Sequence, residues 1–234
     1  MKRLITFGCS LTQGQALEKD VEYSKLAWPY VLADQLNLQC INMGRNGASI
    51  KRIWWNIMNF KFEATDIVVI LWTHLDRWCI IKEGLKSSKE TDYDLLEESK
   101  TTYLKNTKGW SIEDINVWFN DKDQKYMKLW YENFHDNFDM LTQATALINH
   151  AQYYLKDTLY SDKGKSQFHF SAADDKTIFD INEELQFNEV SFGNVSFNDI
   201  RRNYPKALDN HHPGKEAHEK FAYELKKQIE IYNI

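Results

Sequence analysis

Residues 66–71 read Asp-Ile-Val-Val-Ile-Leu, an unbroken apolar stretch behind a single carboxylate. Its length and its β-branched residues are typical of a strand that is covered on both faces, as in a parallel sheet. A shorter apolar stretch at 4–7 ends at Gly8, and 38–42 reads as another short strand. We therefore expect 66–71 to be a central strand of a parallel sheet.

Helical spacing fills the intervals between these strands. Residues 24–36 and 48–60 carry apolar positions three and four apart, and 214–231 repeats that pattern near the end of the sequence. Strands that alternate with helices predict βαβ units and an α/β fold. The pattern over 122–159 predicts one long helix or two broken ones, whereas 161–203 gives mixed signals and no assignable element.

The length of 234 residues favours one α/β domain, since no repeat or low-complexity linker divides the chain. We expect a single domain over 1–234 with a helical, aromatic-rich insertion around 85–135. Exposed aromatic rings stack on sugars, so part of the aromatic group there is a candidate carbohydrate surface and the rest is predicted core. That group comprises Trp110, Trp118, Phe119, Trp130, Tyr131 and Phe134.

The charge and hydropathy of the chain exclude several classes of partner. A net charge of −5 argues against a broad nucleic-acid surface, although Arg201 and Arg202 leave a local basic patch open. No apolar run is long enough for a signal-peptide core or a membrane helix. We therefore expect a cytoplasmic protein that binds neither nucleic acid nor membrane, with its three cysteines present as reduced thiols.

Two short stretches carry residues suited to nucleophilic chemistry. Ser10 follows the first predicted strand, at the edge where parallel α/β sheets bind their ligands. Near the other end, Asp209 and His212 lie three apart in a turn before the last helix. A serine needs a base to remove its proton, and a carboxylate fixes the tautomer of that base. Taken singly, each stretch is also typical of a helix cap or a surface turn.

Together these stretches resemble the SGNH (GDSL-type) hydrolase family. The matching motifs are Phe-Gly-x-Ser-Leu-Thr at 7–12, Asn-x-Gly-x-x-Gly at 42–47 and Asp-x-x-His-Pro at 209–213. The resemblance implies a flavodoxin-like three-layer α/β/α sandwich with a central parallel sheet. It also implies hydrolysis of esters, often acetyl or acyl esters of carbohydrates or lipids.

The resemblance assigns roles residue by residue. Ser10 falls on the nucleophile, His212 on the general base and Asp209 on the acid that orients it. Ser10 and Gly47 fall on the positions whose backbone N–H groups hold the oxyanion. Gly47 also lies at the start of a predicted helix, where amides lack partners within the helix. The alternative is that Gly44 and Gly47 only permit a tight turn.

Two positions depart from the family pattern. Cys9 stands where the family carries an Asp, and a small buried thiol is the favoured interpretation over a nucleophilic one. After the 66–71 strand the family carries Gly-x-Asn-Asp, but this chain reads Trp-Thr-His-Leu-Asp-Arg at 72–77. Thr73 is our first candidate for the missing oxyanion donor and His74 the second. Backbone amides alone, or a loss of activity, remain the alternatives.

The sequence therefore predicts a serine-dependent hydrolase that cleaves a small acyl ester, of acetyl type, with a carbohydrate as the favoured alcohol. An acyltransferase with the same residues, or a catalytically impaired glycan-binding module, are the alternatives. We expect no cofactor and no metal. A metal cluster of Asp209, His211, His212 and His218 is disfavoured, because the two adjacent histidines point apart in a strand or turn.

Overall fold

The structure is a computed structural model that describes residues 2–83, 110–115, 131–133, 135–159, 167–173 and 196–231. In chain order its elements are β1 (Arg3–Phe7), α1 (Ser10–Gln13), α2 (Trp28–Leu36), β2 (Gln39–Asn42), α3 (Ile50–Asn59), β3 (Ile67–Trp72), β4 (Trp78–Glu83), β5 (Trp110–Ile115), α4 (Asn137–Leu159), β6 (Gln167–Ala172), α5 (Phe197–Arg201) and α6 (Lys215–Ile231). Four strands form a parallel sheet in the order β2-β1-β3-β6.

The order of these strands fixes where the helices lie. From β1 the chain crosses to β2 through α2, and it then passes back over β1 to β3 through α3. Right-handed crossovers in opposite directions leave their helices on opposite faces of the sheet. The fold is thus the predicted α/β architecture with a parallel sheet flanked by helices. Its strand order reverses between β1 and β3, where such sheets bind ligands beyond the carboxyl ends of the strands.

Apolar side chains fill both sides of the sheet. On one side α2 packs against α6, with the rings of Trp28 and Phe221 edge to face at 5.3 Å, and Phe197 joins them at 4.6 Å from Phe221. On the other side α3 packs against α4, and the ring of Phe7 meets Phe60 at 5.6 Å. β3 is fully buried from 68 to 72, as the predicted central strand requires.

The predicted strands and helices of the first 75 residues are confirmed, with the starts of two helices shifted. The helix expected over 24–36 begins at Trp28, because Ser24 forms a turn instead. The Ser24 hydroxyl donates to Glu18 at 2.5 Å and accepts the Leu26 N–H at 3.0 Å. Pro29 then occupies the first turn of α2, where its missing N–H costs nothing.

Later segments differ more from expectation. Of the one long helix or two broken ones expected over 122–159, residues 131–133 are helical and α4 begins at Asn137, where the Asp136 carboxylate accepts the Asp139 N–H at 3.0 Å and caps the first turn. Residues 116–130 lie outside the described part. The insertion around 85–135 was expected to be helical, but β5 shows that 110–115 is a strand, paired antiparallel with β4. Alternating apolar and polar residues in Trp-Ser-Ile-Glu favour this strand.

The described residues bear on three further features of the sequence. The segment over 161–203, which gave no assignable element, contains β6 and α5. All three cysteines are free thiols, with Cys9 and Cys79 buried and Cys40 partly exposed. Within the described ranges, no helix is long and apolar enough to cross a bilayer.

A buried ion pair closes the amino end of the sheet. The guanidinium of Arg3 donates from Nε and Nη2 to the two carboxylate oxygens of Asp66, at 2.8 and 2.7 Å. The Asp66 side chain is fully buried and also accepts the Glu63 N–H at 2.8 Å. Glu63 makes its own ion pair with Arg3 at 2.7 Å, but the Glu63 side chain is 58% exposed. This pair fastens the start of β1 to the residue before β3.

We expect Asp66→Ala to lower the free energy of unfolding by roughly 3 kcal/mol or more, because it leaves the buried Arg3 charge without its main partner. Glu63→Ala is the matched control on the same guanidinium, and an exposed pair is worth only about 0–1 kcal/mol. Urea denaturation measures both. Equal losses in the two variants would show that burial of Asp66 carries no special weight.

Candidate active site

The candidate nucleophile lies where the chain leaves the sheet. β1 ends at Phe7, and Ser10 is the first residue of α1, with Cys9 at the N-cap. The N–H of a first helical residue has no acceptor within its helix. A Cβ at Gly8 would stand 2.0 Å from the Thr12 hydroxyl oxygen, so a larger residue here would displace the Thr12 side chain. Ser10 is 4% exposed and Cys9 is fully buried.

The end of β2 is hydrogen bonded to the short helix α1. The buried amide of Asn42 donates from Nδ2 to the Thr12 carbonyl at 2.8 Å, and its Oδ1 accepts the Gly44 N–H at 2.9 Å. A Cβ at Gly44 would stand 2.5 Å from the backbone nitrogen of Gln13. The first and second sequence motifs are therefore in direct contact.

Gly47 lies in a turn and not at the helix start, which corrects the sequence-based expectation. The Ala48 N–H donates to the Arg45 carbonyl at 3.1 Å, and Gly47 has a φ of 69° that favours glycine. α3 begins later, at Ile50, because Ser49 caps it by accepting the Arg52 N–H at 3.2 Å. Among the described residues the Gly47 N–H has no acceptor, so it is available to a ligand.

Asp209 and His212 form a hydrogen-bonded pair within one turn. Asp209 Oδ2 and His212 Nδ1 are 2.5 Å apart, and Asp209 Oδ1 accepts the N–H groups of His211 and His212, each at 2.9 Å. Asn210 takes the left-handed conformation that the turn requires, with a φ of 60°. The sequence prediction that these two residues meet within a tight turn agrees with this geometry.

The charge of Asp209 determines the tautomer of His212. Burial raises the pKa of the Asp209 carboxyl, but hydrogen bonds from the His212 and His211 amides and from the His212 ring outweigh this and lower the pKa to about 2. An ionised carboxylate can only accept. His212 Nδ1 therefore carries the hydrogen, which leaves the Nε2 lone pair to act as a base.

A hydrogen bond from the residue just before Asp209 places this turn beside the segment that follows Ser10. The Leu208 N–H donates to the Ala16 carbonyl at 3.1 Å, which joins this turn to the residues that follow α1. The Ala207 N–H donates to the His212 carbonyl at 2.8 Å and closes the loop on itself. Among the described residues no hydrogen bond joins the Ser10 hydroxyl to His212, so their contact in a reacting complex stays a prediction.

The third motif supplies a buried hydroxyl. Thr73 directly follows β3 and is fully buried, and its Oγ1 accepts a hydrogen bond from Arg77 Nη1 at 2.9 Å. His74, the second candidate donor, is partly exposed. The turn is also held by Tyr131, whose hydroxyl donates to the Asp76 carbonyl. Of the aromatic group named from the sequence, Trp118, Phe119, Trp130 and Phe134 lie outside the described residues.

His218 is a structural histidine. Its Nδ1 accepts the Trp28 N–H at 3.1 Å, and its ring packs against Phe197 at 5.0 Å. Burial, with a smaller contribution from His212, lowers its pKa to about 3, so the ring is neutral. No group of three or more His, Cys, Asp or Glu in the described part of the chain is arranged to hold a metal ion.

Comparison with known proteins gives a structural match alone. No family model matches the sequence, and no curated protein matches it. A family two carbohydrate esterase from Cellvibrio japonicus is similar over 99% of this chain and 61% of its own, at 13% identity and a TM-score of 0.53. A carbohydrate acetylesterase family member from Sinorhizobium meliloti is similar over 99% of both chains, at 11% identity and a TM-score of 0.52.

An acetyl xylan esterase from Butyrivibrio proteoclasticus gives a TM-score of 0.51 at 14% identity, over 98% of this chain and 63% of that one. The chain thus spans less than two thirds of two of these three proteins. At such identities the likeness concerns the fold. This chain has the α/β/α fold found in SGNH-type esterases, as the resemblance of its motifs predicts.

Two residues of this region were not assigned roles from the sequence. Asn42 was noted only as part of the Asn-x-Gly motif, and its spacing two residues before Gly44 was the available signal. Arg77 was noted only in the third motif, because nothing local indicates that its guanidinium turns back to Thr73.

We expect Asp209→Asn to move the ring hydrogen of neutral His212 from Nδ1 to Nε2. The new amide still accepts the backbone N–H groups through its oxygen, but its nitrogen donates where the carboxylate accepted. The ring ¹⁵N chemical shifts of His212 report the change. Asn210→Gly tolerates the positive φ and is the control, with unchanged shifts. Identical shifts in Asp209→Asn and the wild type would refute the assigned tautomer.

Proposed function

We propose that this chain is a serine-dependent hydrolase of small acyl esters. The observation that supports it most directly is the Asp209–His212 pair, whose turn is hydrogen bonded to the segment that follows Ser10. A histidine with its Nδ1 hydrogen on a carboxylate presents Nε2 as a base, and a serine next to such a base becomes a nucleophile. Asp209, His212 and Ser10 are the proposed catalytic residues.

The proposed reaction has two stages. His212 Nε2 takes the proton of the Ser10 hydroxyl as Oγ attacks the carbonyl carbon, and the protonated ring then gives that proton to the leaving alcohol. Water, deprotonated by the same nitrogen, attacks the acyl-serine, and the protonated ring returns that proton to Ser10 Oγ as the acid leaves. Asp209 stays ionised throughout and stabilises the imidazolium that forms in each stage.

The developing oxyanion needs hydrogen-bond donors that are in place beforehand. The N–H of Ser10 lies at the first position of α1, and the Gly47 N–H lies in its turn with no acceptor among the described residues. Thr73 is our candidate for the third donor. Without a third donor the enzyme would be slow, since one oxyanion donor is typically worth about 10² to 10³ in turnover.

For the substrate we propose an acetyl-type ester on a carbohydrate. The fold is shared with proteins described as carbohydrate esterases, and the chain is rich in aromatic residues suited to sugar rings. Acyl transfer to another hydroxyl is the second candidate, favoured by the near-complete burial of Ser10, which restricts water. Added acceptor alcohols distinguish the two, since only a transferase forms a new ester with them in preference to free acid.

We expect Ser10→Ala and His212→Ala each to lower the turnover of an aryl acetate by several orders of magnitude. Their effects should not add, because residues that act in one step lose that step once. His211→Ala is the matched control, since this adjacent histidine is exposed and contributes only its backbone N–H to Asp209. A fluorophosphonate probe should label Ser10 in the wild type and in the control. An unlabelled wild type would favour a glycan-binding module.

We expect Thr73→Val to lower kcat by about 10² to 10³, because it keeps the shape of the side chain and removes the hydroxyl. Thr73→Ser keeps the hydroxyl and is the control, with kcat close to that of the wild type. Circular dichroism and thermal denaturation establish that both variants fold. An unchanged kcat in folded Thr73→Val would exclude Thr73 as a donor.

A further inference from the structure

The third motif begins at the same edge of the sheet as the segment that carries Ser10. β1 and β3 run parallel with Phe7 opposite Ile70, and the chain remains close beyond that register. A Cβ at Gly8 would stand 3.1 Å from the Leu71 carbonyl oxygen. Ser10 and Thr73 therefore both lie just beyond the carboxyl ends of this strand pair. The contacts that Thr73 makes therefore bear on the chemistry proposed for Ser10.

The hydrogen bond between Arg77 and Thr73 has only one possible direction. A guanidinium has no lone pair to accept with, so Arg77 Nη1 donates and Thr73 Oγ1 accepts, at 2.9 Å. The hydroxyl hydrogen of Thr73 must then point away from Arg77. Among the described residues it has no acceptor, and Thr73 is fully buried, so bulk water does not reorient it. Within the described part of the chain, that hydrogen is left for a ligand.

The charge of Arg77 is not neutralised by an ion pair within the described part of the chain. Its Nε is buried and makes no hydrogen bond there. A charged donor polarises the hydroxyl to which it donates, and this makes the hydroxyl a stronger donor in turn. The hydroxyl of Tyr131 donates to the Asp76 carbonyl and holds the backbone of the turn next to Arg77.

We propose that Arg77 is a positioning residue that orients and polarises the Thr73 hydroxyl, so that the Thr73–Arg77 pair takes the place of the absent third-motif asparagine. This inference rests on the proposed serine hydrolase function. An asparagine carries its donor on a planar amide that needs no orienting partner. A threonine hydroxyl rotates, and an arginine that donates to one of its two lone pairs restricts the rotation. Thr73 and Arg77 together thus provide the oriented hydrogen-bond donor that an asparagine amide provides alone.

The test is a double-mutant cycle on the full chain with an aryl acetate as substrate. Arg77→Met keeps the length of the aliphatic stem but removes the charge and the donors. We expect it to lower kcat roughly 10-fold to 100-fold with little change in KM, since the hydroxyl remains but is no longer oriented. In the Thr73→Val background the same substitution should change kcat by less than about twofold. Arg202→Met, on an exposed arginine, is the control for loss of a positive charge.

Each outcome decides the inference. Equal losses from Arg77→Met in both backgrounds would overturn it, because the arginine would then act without the hydroxyl. A raised KM with unchanged kcat would also overturn it and would make Arg77 a substrate-binding residue. If Arg77→Met does not fold, Arg77→Lys enters the same cycle and should show a smaller loss of kcat that is again absent in the Thr73→Val background.

Failure of fluorophosphonate to label wild-type Ser10 would overturn the proposed function itself. If Ser10 is labelled but the effects of the two substitutions are additive, only the role of Arg77 is overturned.

Discussion

The buried amide of Asn42 is the contact on which the carboxyl edge of the sheet depends. It reaches from the end of β2 to the Thr12 carbonyl, one of the groups that a four-residue helix leaves without an internal partner. Its oxygen accepts the Gly44 N–H, so the one amide makes hydrogen bonds to two segments of the chain. Asn42 is buried, so water cannot replace either bond. A buried polar group without a partner is costly, which makes this arrangement hard to replace. The segment that carries Ser10 and the Gly47 turn are positioned together as a result.

The sequence predicted those elements whose signals are local. β3 is indicated by an apolar run that only burial on both faces explains, and α3 and α6 by their helical spacing. The start of α2 was misplaced because Ser24 competes for backbone hydrogen bonds through its side chain. The pairing of β4 with β5 was not predicted, because residues 84–109 separate the two strands in the sequence. No short turn motif joins them, so their pairing depends on tertiary contacts.

The same distinction applies to the candidate site. Asp209 and His212 are three residues apart, so one turn brings them together and the sequence alone indicates the pair. Gly47 lies outside the helix because Ser49, a better cap than glycine, sets the start of α3. The link between Thr73 and Arg77 depends on the path of the chain after β3. No periodicity or motif encodes that path, so only the three-dimensional arrangement reveals the link.

The hydrogen bond between Leu208 and Ala16 joins segments almost two hundred residues apart in the sequence. During translation the serine emerges from the ribosome long before the histidine that would activate it. Closing so long a loop is entropically costly, and parallel sheets of this kind form slowly. Under the proposed function, the nascent chain therefore carries an inert serine until residue 212 has been made. A product cut short before residue 212 would lack the proposed base, so the proposed chemistry has to wait until that residue has been made.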